Sequence, residues 1–194
     1  MDSRQAVFKR RLFKHPLWGL LGLTLFLWTI EIVDQVWLGG GLDRYGIMPR
    51  RWLGLRGILL APFLHGGFEH LAANTLPLLG LSLLVMGLGD WWLTTLLALL
   101  TAGTGTWLIA ATGSVHIGAS GVIFGYIGCL TLRGYFERSP VAIGVSILTI
   151  GLYGGSLGGV LPGQAGVSWE GHLFGFLGGA LVAWVRSRKR GSQH

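Results

Sequence analysis

Three sets of polar residues stand near the starts of apolar stretches, about fifty positions apart: His70 with Asn74, then Ser120, then His172. A serine hydroxyl becomes a nucleophile only with a base within hydrogen-bond reach, and a histidine is the usual base. Ser120 lies in Gly118-Ala119-Ser120-Gly121, where Gly118 and Gly121 give a substrate carbonyl room to approach. In a chain with 34 glycines that pattern is weak by itself. Gly121, Gly125 and Gly128 continue it at helical spacing, so a small-residue packing face explains it as well. His172 opens His172-x-x-Gly175-x-x-x-Gly179. An ionisable group inside an apolar segment is costly and points to function; the alternative is a helix-end histidine facing headgroups. His70 and Asn74, four apart, share a helix face. Their N–H donors, with the backbone N–H of Ser120, can meet a developing oxyanion, or they can serve as interhelical hydrogen bonds.

No carboxylate is placed to orient His172, since Glu170, two positions away, lies on a different helix face. The expected chemistry is therefore a Ser–His dyad, with Phe124, one turn beyond Ser120, packing its ring on the imidazole. His65 reads as a structural hydrogen-bonding residue, and His116 carries no assigned role. A metal held by His65, His70, His116 and His172 is chemically conceivable, but H-E-x-x-H is absent. The expectation is no metal and no cofactor.

These residues need elements that bring them together. The chain is 51% hydrophobic and 12% charged, with mean hydropathy +0.59, against roughly a quarter charged in soluble domains. Its apolar runs approach the ~20 residues that cross a bilayer as a helix. The expected fold is an all-α polytopic membrane protein with six spans, near 17–38, 69–88, 91–112, 119–135, 141–160 and 169–186. Residues 1–16 form a basic segment, 17–186 the membrane domain with a long outer loop at about 39–65, and 187–194 a basic tail. No cleavable signal peptide is expected. The single cysteine, Cys129, excludes an intrachain disulfide.

The net charge of +7 gathers at the ends: Arg4, Lys9, Arg10, Arg11 and Lys14 before the first span, and Arg186, Arg188, Lys189 and Arg190 after the last. Beside membrane spans such clusters are topology signals and contacts to anionic lipid, so nucleic acid is not expected. Both termini then face the cytoplasm, and Arg133 and Arg138 agree. Arg44, Arg50, Arg51 and Arg56 fall in the outer loop and disagree. The expectation there is an interfacial segment whose arginines reach headgroups. With this topology spans two, four and six run inward together, and His70, Ser120 and His172 meet in the outer part of the membrane.

Taken together, His65-Gly-Gly-Phe-Glu-His70-Leu-Ala-Ala-Asn74, Gly118-Ala119-Ser120-Gly121 and Gly171-His172 with Gly175 and Gly179 resemble the rhomboid family of intramembrane serine proteases. The resemblance covers nearly the whole chain. It implies a six-transmembrane-helix bundle, Ser120 as nucleophile, His172 as base, and His70 and Asn74 in the oxyanion hole. It also implies a membrane-embedded first loop and a cap from residues 161–168. Two positions depart from the family pattern. Phe124 stands where the family often has tyrosine, which keeps ring stacking and loses the hydroxyl. Leu55-Arg56 only approximates the Trp-Arg pair of the first loop. The implied partners are single-span membrane proteins, cut where a helix unwinds readily, and membrane lipids; the chain leaves the oligomeric state open. The implied location is a prokaryotic plasma membrane. The alternatives are a rhomboid-like protein that binds membrane clients without cutting them, and a small transporter.

Overall fold

The computed structural model describes the backbone of residues 3–191 and the side chains of residues 17–188. The terminal lysines and arginines read as topology signals, Arg4, Lys9, Arg10, Arg11, Lys14, Lys189 and Arg190, have side chains outside that description.

Helices account for the described chain: α1 (Ser3–Val33), one-turn α2 (Gly57–Leu60), α3 (Phe68–Gly87), α4 (Trp91–Ile109), α5 (Ser120–Glu137), α6 (Pro140–Tyr153) and α7 (Trp169–Gly191). A π-helical turn prolongs α1 to Leu38, and a 3-10 segment prolongs α6 to Val160. The expected spans fall on α1, α3, α4, α5, α6 and α7; all but α1 begin within one residue of the expected start, and α1 begins at Ser3, well before the expected 17. Four segments are long and apolar enough to cross a membrane: Leu17–Leu38, Phe68–Gly87, Trp91–Ile109 and Pro140–Val160. The protein is thus an integral membrane protein. The expectation of six such segments is met for four.

The shortfall lies in α5 and α7, and packing gives the reason. α5 is the central helix, with eleven buried residues including five in the run Val122–Tyr126. A helix screened from lipid by its neighbours does not need an apolar surface all round. It can spend positions on glycine and charge instead. A Cβ on Gly175 would strike the carbonyl of Gly121, and one on Gly179 the carbonyl of Gly125. These pairings advance together along both helices, so α5 and α7 run parallel in backbone contact. α4 runs against both: Gly121 faces Ala102 and Gly125 faces Ala98, while Gly105 faces Phe174 and Gly178 faces Thr101.

α3 buries one stripe, Leu71, Asn74, Leu78, Leu81, Ser82 and Val85, at three- and four-residue steps, and its leucines join the core with Ile123, Tyr126 and Ile127 of α5. α6 buries only Ala142, Ser146 and Thr149. Its Ser146 accepts the N–H of Gly134 and donates to the carbonyl of Leu130 on α5, both at 2.8 Å.

The long loop is folded, not slack. Arg50 donates to the carbonyls of Leu108 and Ala110, satisfying free acceptors at the end of α4. Arg56 lies over the Tyr45 ring, 4.3 Å from its centroid. Two of the loop arginines expected to reach headgroups, Arg50 and Arg56, therefore also bind the protein itself, while Arg44, Arg50 and Arg51 are exposed. Arg133 also departs from its reading as a topology charge. It is 2% exposed and pairs with Asp90 at 2.7 Å and Glu137 at 2.7 Å. Asp90 in turn holds Arg186 at 2.5 Å. This ionic cluster joins the α3–α4 turn, α5 and α7.

Candidate active site

Ser120 is the first residue of α5 and His172 lies in the first turn of α7. Because those helices run parallel, their starts are adjacent. The Ser120 hydroxyl stands 2.8 Å from His172 Nε2. His172 Nδ1 stands 3.0 Å from the carbonyl oxygen of Gly159. A carbonyl can only accept, so Nδ1 carries the proton and Nε2 is left to accept from Ser120. The Phe124 ring stacks on the imidazole with centroids 4.0 Å apart and planes 8° apart.

Gly159 had no signal in the sequence beyond being one of many glycines. It works through a backbone carbonyl, which every residue has. A Cβ there would lie 3.0 Å from His172 Nδ1 and 3.2 Å from Phe124 Cζ. The 3-10 segment after α6 can approach the imidazole this closely only without a side chain.

His70 reaches the site from α3. Its Nδ1 accepts the backbone N–H of Gly66 at 3.3 Å, which leaves the proton of the neutral ring on Nε2. That nitrogen lies against Gly118, where a Cβ would be 2.8 Å from Nε2 and 3.9 Å from the Ser120 hydroxyl. Asn74 follows one turn along α3, buried, with its amide donating to the carbonyl of His70 at 2.9 Å. One of its two N–H donors is engaged there.

The two glycines flanking Ala119-Ser120 make room for neighbours in the protein. Gly118 makes room for His70, and Gly121 faces Ala102 of α4, where a Cβ would lie 2.8 Å from the alanine methyl. His65 is fully buried, and its Nε2 accepts the N–H of Ala119 at 3.4 Å. Burial, and then the neighbouring His70, push the His65 imidazole down to about 4, so it stays neutral and able to accept. Arg56 makes its contacts in the loop, to Tyr45 and to the carbonyl of Arg44. In the capping segment, residues 161–166 are exposed, and Ser168 at its end turns inward to His116.

A cavity of about 40 Å³ opens beside Ser120, between the long loop, α4, α5 and α7, with Thr106, His116 and Ser168 among its lining. That is space for water.

The arrangement can hold a serine hydroxyl as a hydrogen-bond donor to a fixed imidazole, with N–H donors from a third helix nearby. A family model described as Rhomboid domain matches residues 53–189. Uncharacterized proteins of Mycobacterium tuberculosis and Mycobacterium bovis are each 40% identical over 189 residues, covering 90% of this chain and 78% of theirs. An uncharacterized protein of Mycobacterium leprae is 38% identical over 185 residues, covering 88% of this chain and 73% of its own.

Proposed function

The chain belongs to the rhomboid family, and from that premise we propose that it is an intramembrane serine protease with a Ser120–His172 dyad. The observation that supports this reading is the 2.8 Å contact from the serine hydroxyl to an imidazole whose other nitrogen is already committed to Gly159. In the proposed reaction Ser120 Oγ attacks a peptide carbonyl while His172 Nε2 takes its proton. The oxyanion meets His70 Nε2–H, Asn74 and the N–H of Ser120, which has no acceptor within α5 because it opens that helix. His172 returns the proton to the leaving amine. Water in the cavity beside Ser120, where Thr106, His116 and Ser168 offer polar groups, then hydrolyses the acyl-enzyme.

The substrates are single-span membrane proteins whose helix unwinds near the outer face, because exposed backbone in lipid is tolerated only where a cavity satisfies it. Six segments cross the membrane, with the central α5 screened from lipid by its neighbours. Both termini are cytoplasmic and the dyad lies toward the outer face.

The deciding experiment incubates the detergent-purified protein and its Ser120→Ala variant with a single-span reporter carrying small, helix-weak residues. Cleavage by the unaltered protein alone is expected, together with fluorophosphonate labelling that Ser120→Ala abolishes. Asn74→Ala should cut about 10²–10³-fold more slowly, the usual cost of losing one oxyanion donor. A protein that neither cuts nor labels would be a binder of membrane clients instead.

A further inference from the structure

A second hydroxyl–imidazole pair stands four residues before the first in both segments, with the roles of the two segments exchanged. His116 precedes Ser120 by four residues, and Ser168 precedes His172 by four. His116 Nδ1 lies 2.7 Å from the Ser168 hydroxyl. Both pairs span 52 positions of sequence and join the same two stretches, the entry to α5 and the entry to α7.

The direction of each bond in this outer pair follows from its surroundings. The Ser114 hydroxyl donates its one proton to the carbonyl of Ala111 at 2.6 Å. It must therefore accept from His116 Nε2, 2.7 Å away. With the proton on Nε2, Nδ1 of the neutral ring accepts from Ser168. The chain Ser168–His116–Ser114–Ala111 is thus a relay of donors and acceptors anchored at the end of α4.

Backbone bonds fix His116 itself. Ile47 and His116 exchange an antiparallel pair, N–H to oxygen, at 2.9 and 3.0 Å. The imidazole is accordingly held on the protein side before it meets α7. Ser168, in contrast, ends an exposed segment, and its carbonyl accepts the N–H of His172 at 3.1 Å. Among the described residues, no other side-chain hydrogen bond ties the start of α7 to the α4–α5 connection.

We propose that His116 and Ser168 form an alignment strut that sets the Ser120–His172 distance. His116 is a positioning residue: it acts on the dyad through α7 and does not touch the reacting atoms. The inference rests on the proposed protease reading for its kinetic consequence, while its geometric content stands apart from it.

The test uses the full-length protein with His116→Ala, Ser168→Ala, the double variant, His116→Asn and His116→Gln. An asparagine places a polar group near the position of Nδ1 and can still meet Ser168, whereas a glutamine reaches the position of Nε2. Expected are a drop in kcat of roughly tenfold to a hundredfold for each alanine variant, the scale of a slightly misplaced catalytic group, with KM unmoved. The double variant should be no worse than either single one, as for two partners in one contact. His116→Asn should recover turnover and His116→Gln should not.

The imidazole 15N resonances of His172 give a readout that needs no substrate: both alanine variants should move them toward those of Ser120→Ala. Unchanged His172 resonances with unchanged kcat, additive effects, or equal rescue by asparagine and glutamine would each overturn the strut. If the unaltered protein fails to cut yet the His172 resonances move as described, the strut stands and the protease reading falls.

Discussion

Gly118 sits at φ +110°, a backbone conformation that side chains rarely adopt, and a Cβ there would press to 2.8 Å from His70 Nε2. Gly118→Ala therefore introduces two faults at once: backbone strain of about 1–3 kcal/mol and displacement of the imidazole proposed to bind the oxyanion. The expected outcome is loss of cleavage with only a modest fall in thermal stability, checked by initial rates beside an unfolding curve. Two other residues in the loop and its exit pull the acid stability in opposite directions. Burial, and then Asp34 and Glu31, push the Asp43 carboxyl from 3.8 up to about 6. Asp43 thus binds its proton more tightly folded than unfolded. Its contribution is fully present below about pH 4 and is lost as pH rises through about 6. His65, lowered from 6.5 to about 4, binds its proton less tightly when folded, so it costs stability as pH falls from about 6.5 towards 4. Asp43→Asn should raise the unfolding midpoint at pH 7 and steepen the loss on acidification, because the opposing gain is gone. A midpoint that shifts equally at pH 4 and pH 7 would contradict the assignment. At this scale the Ser120–His172 contact was legible in the sequence because both are polar residues opening apolar segments. Gly159 was not, because its contribution is a carbonyl. His116 was not, because it lies in the connection between α4 and α5, outside the apolar segments that make a polar residue stand out.

Asp90, at the start of α4, binds Arg133 of α5 and Arg186 of α7. Asp90 and Arg133 are 4% and 2% exposed, so neither can turn to water if its partner is removed. Breaking such a buried pair costs about 3–5 kcal/mol, and Asp90→Ala should destabilise the protein on that scale. The combined change Asp90→Asn, Arg133→Met and Glu137→Gln should recover part of the loss, since the buried charges that Arg133 joins are removed with it; unfolding of both variants in detergent checks this. The sequence showed where the helices lie to within a few residues, since runs of apolar residues and the glycine spacing of α5 and α7 are one-dimensional signals. It did not show which helices face lipid. Arg133 looked like a charge facing the cytoplasm because a pairing with Asp90, 43 positions away, leaves no local pattern. Nor did the sequence show that Arg50 binds the carbonyls at the end of α4.

For the molecule as a whole, the proposed topology places Arg51 on the outer side and Arg138 on the cytoplasmic side. Cys129 is the single cysteine and is fully buried, so it leaves a silent background for thiol probes. In intact cells a membrane-impermeant maleimide should label Arg51→Cys and spare Arg138→Cys; the reverse pattern would invert the orientation. The central position of α5 has a different consequence, one for biogenesis. Lipid selects helices one at a time by their apolarity, and α5 and α7 are the two long helices that fall short of that standard. Each has its glycine face covered by the other, and one charge of each, Arg133 and Arg186, is met by Asp90 of the α3–α4 turn. A nascent chain that ends before α7 leaves α5 with its backbone groove open and Arg133 without the full cluster. α7, made after α5, is therefore the helix that licenses retention of α5, and assembly of the pair becomes all-or-none. A truncated product carries, in that open groove, the mark by which a membrane quality-control protease can tell it from the finished protein.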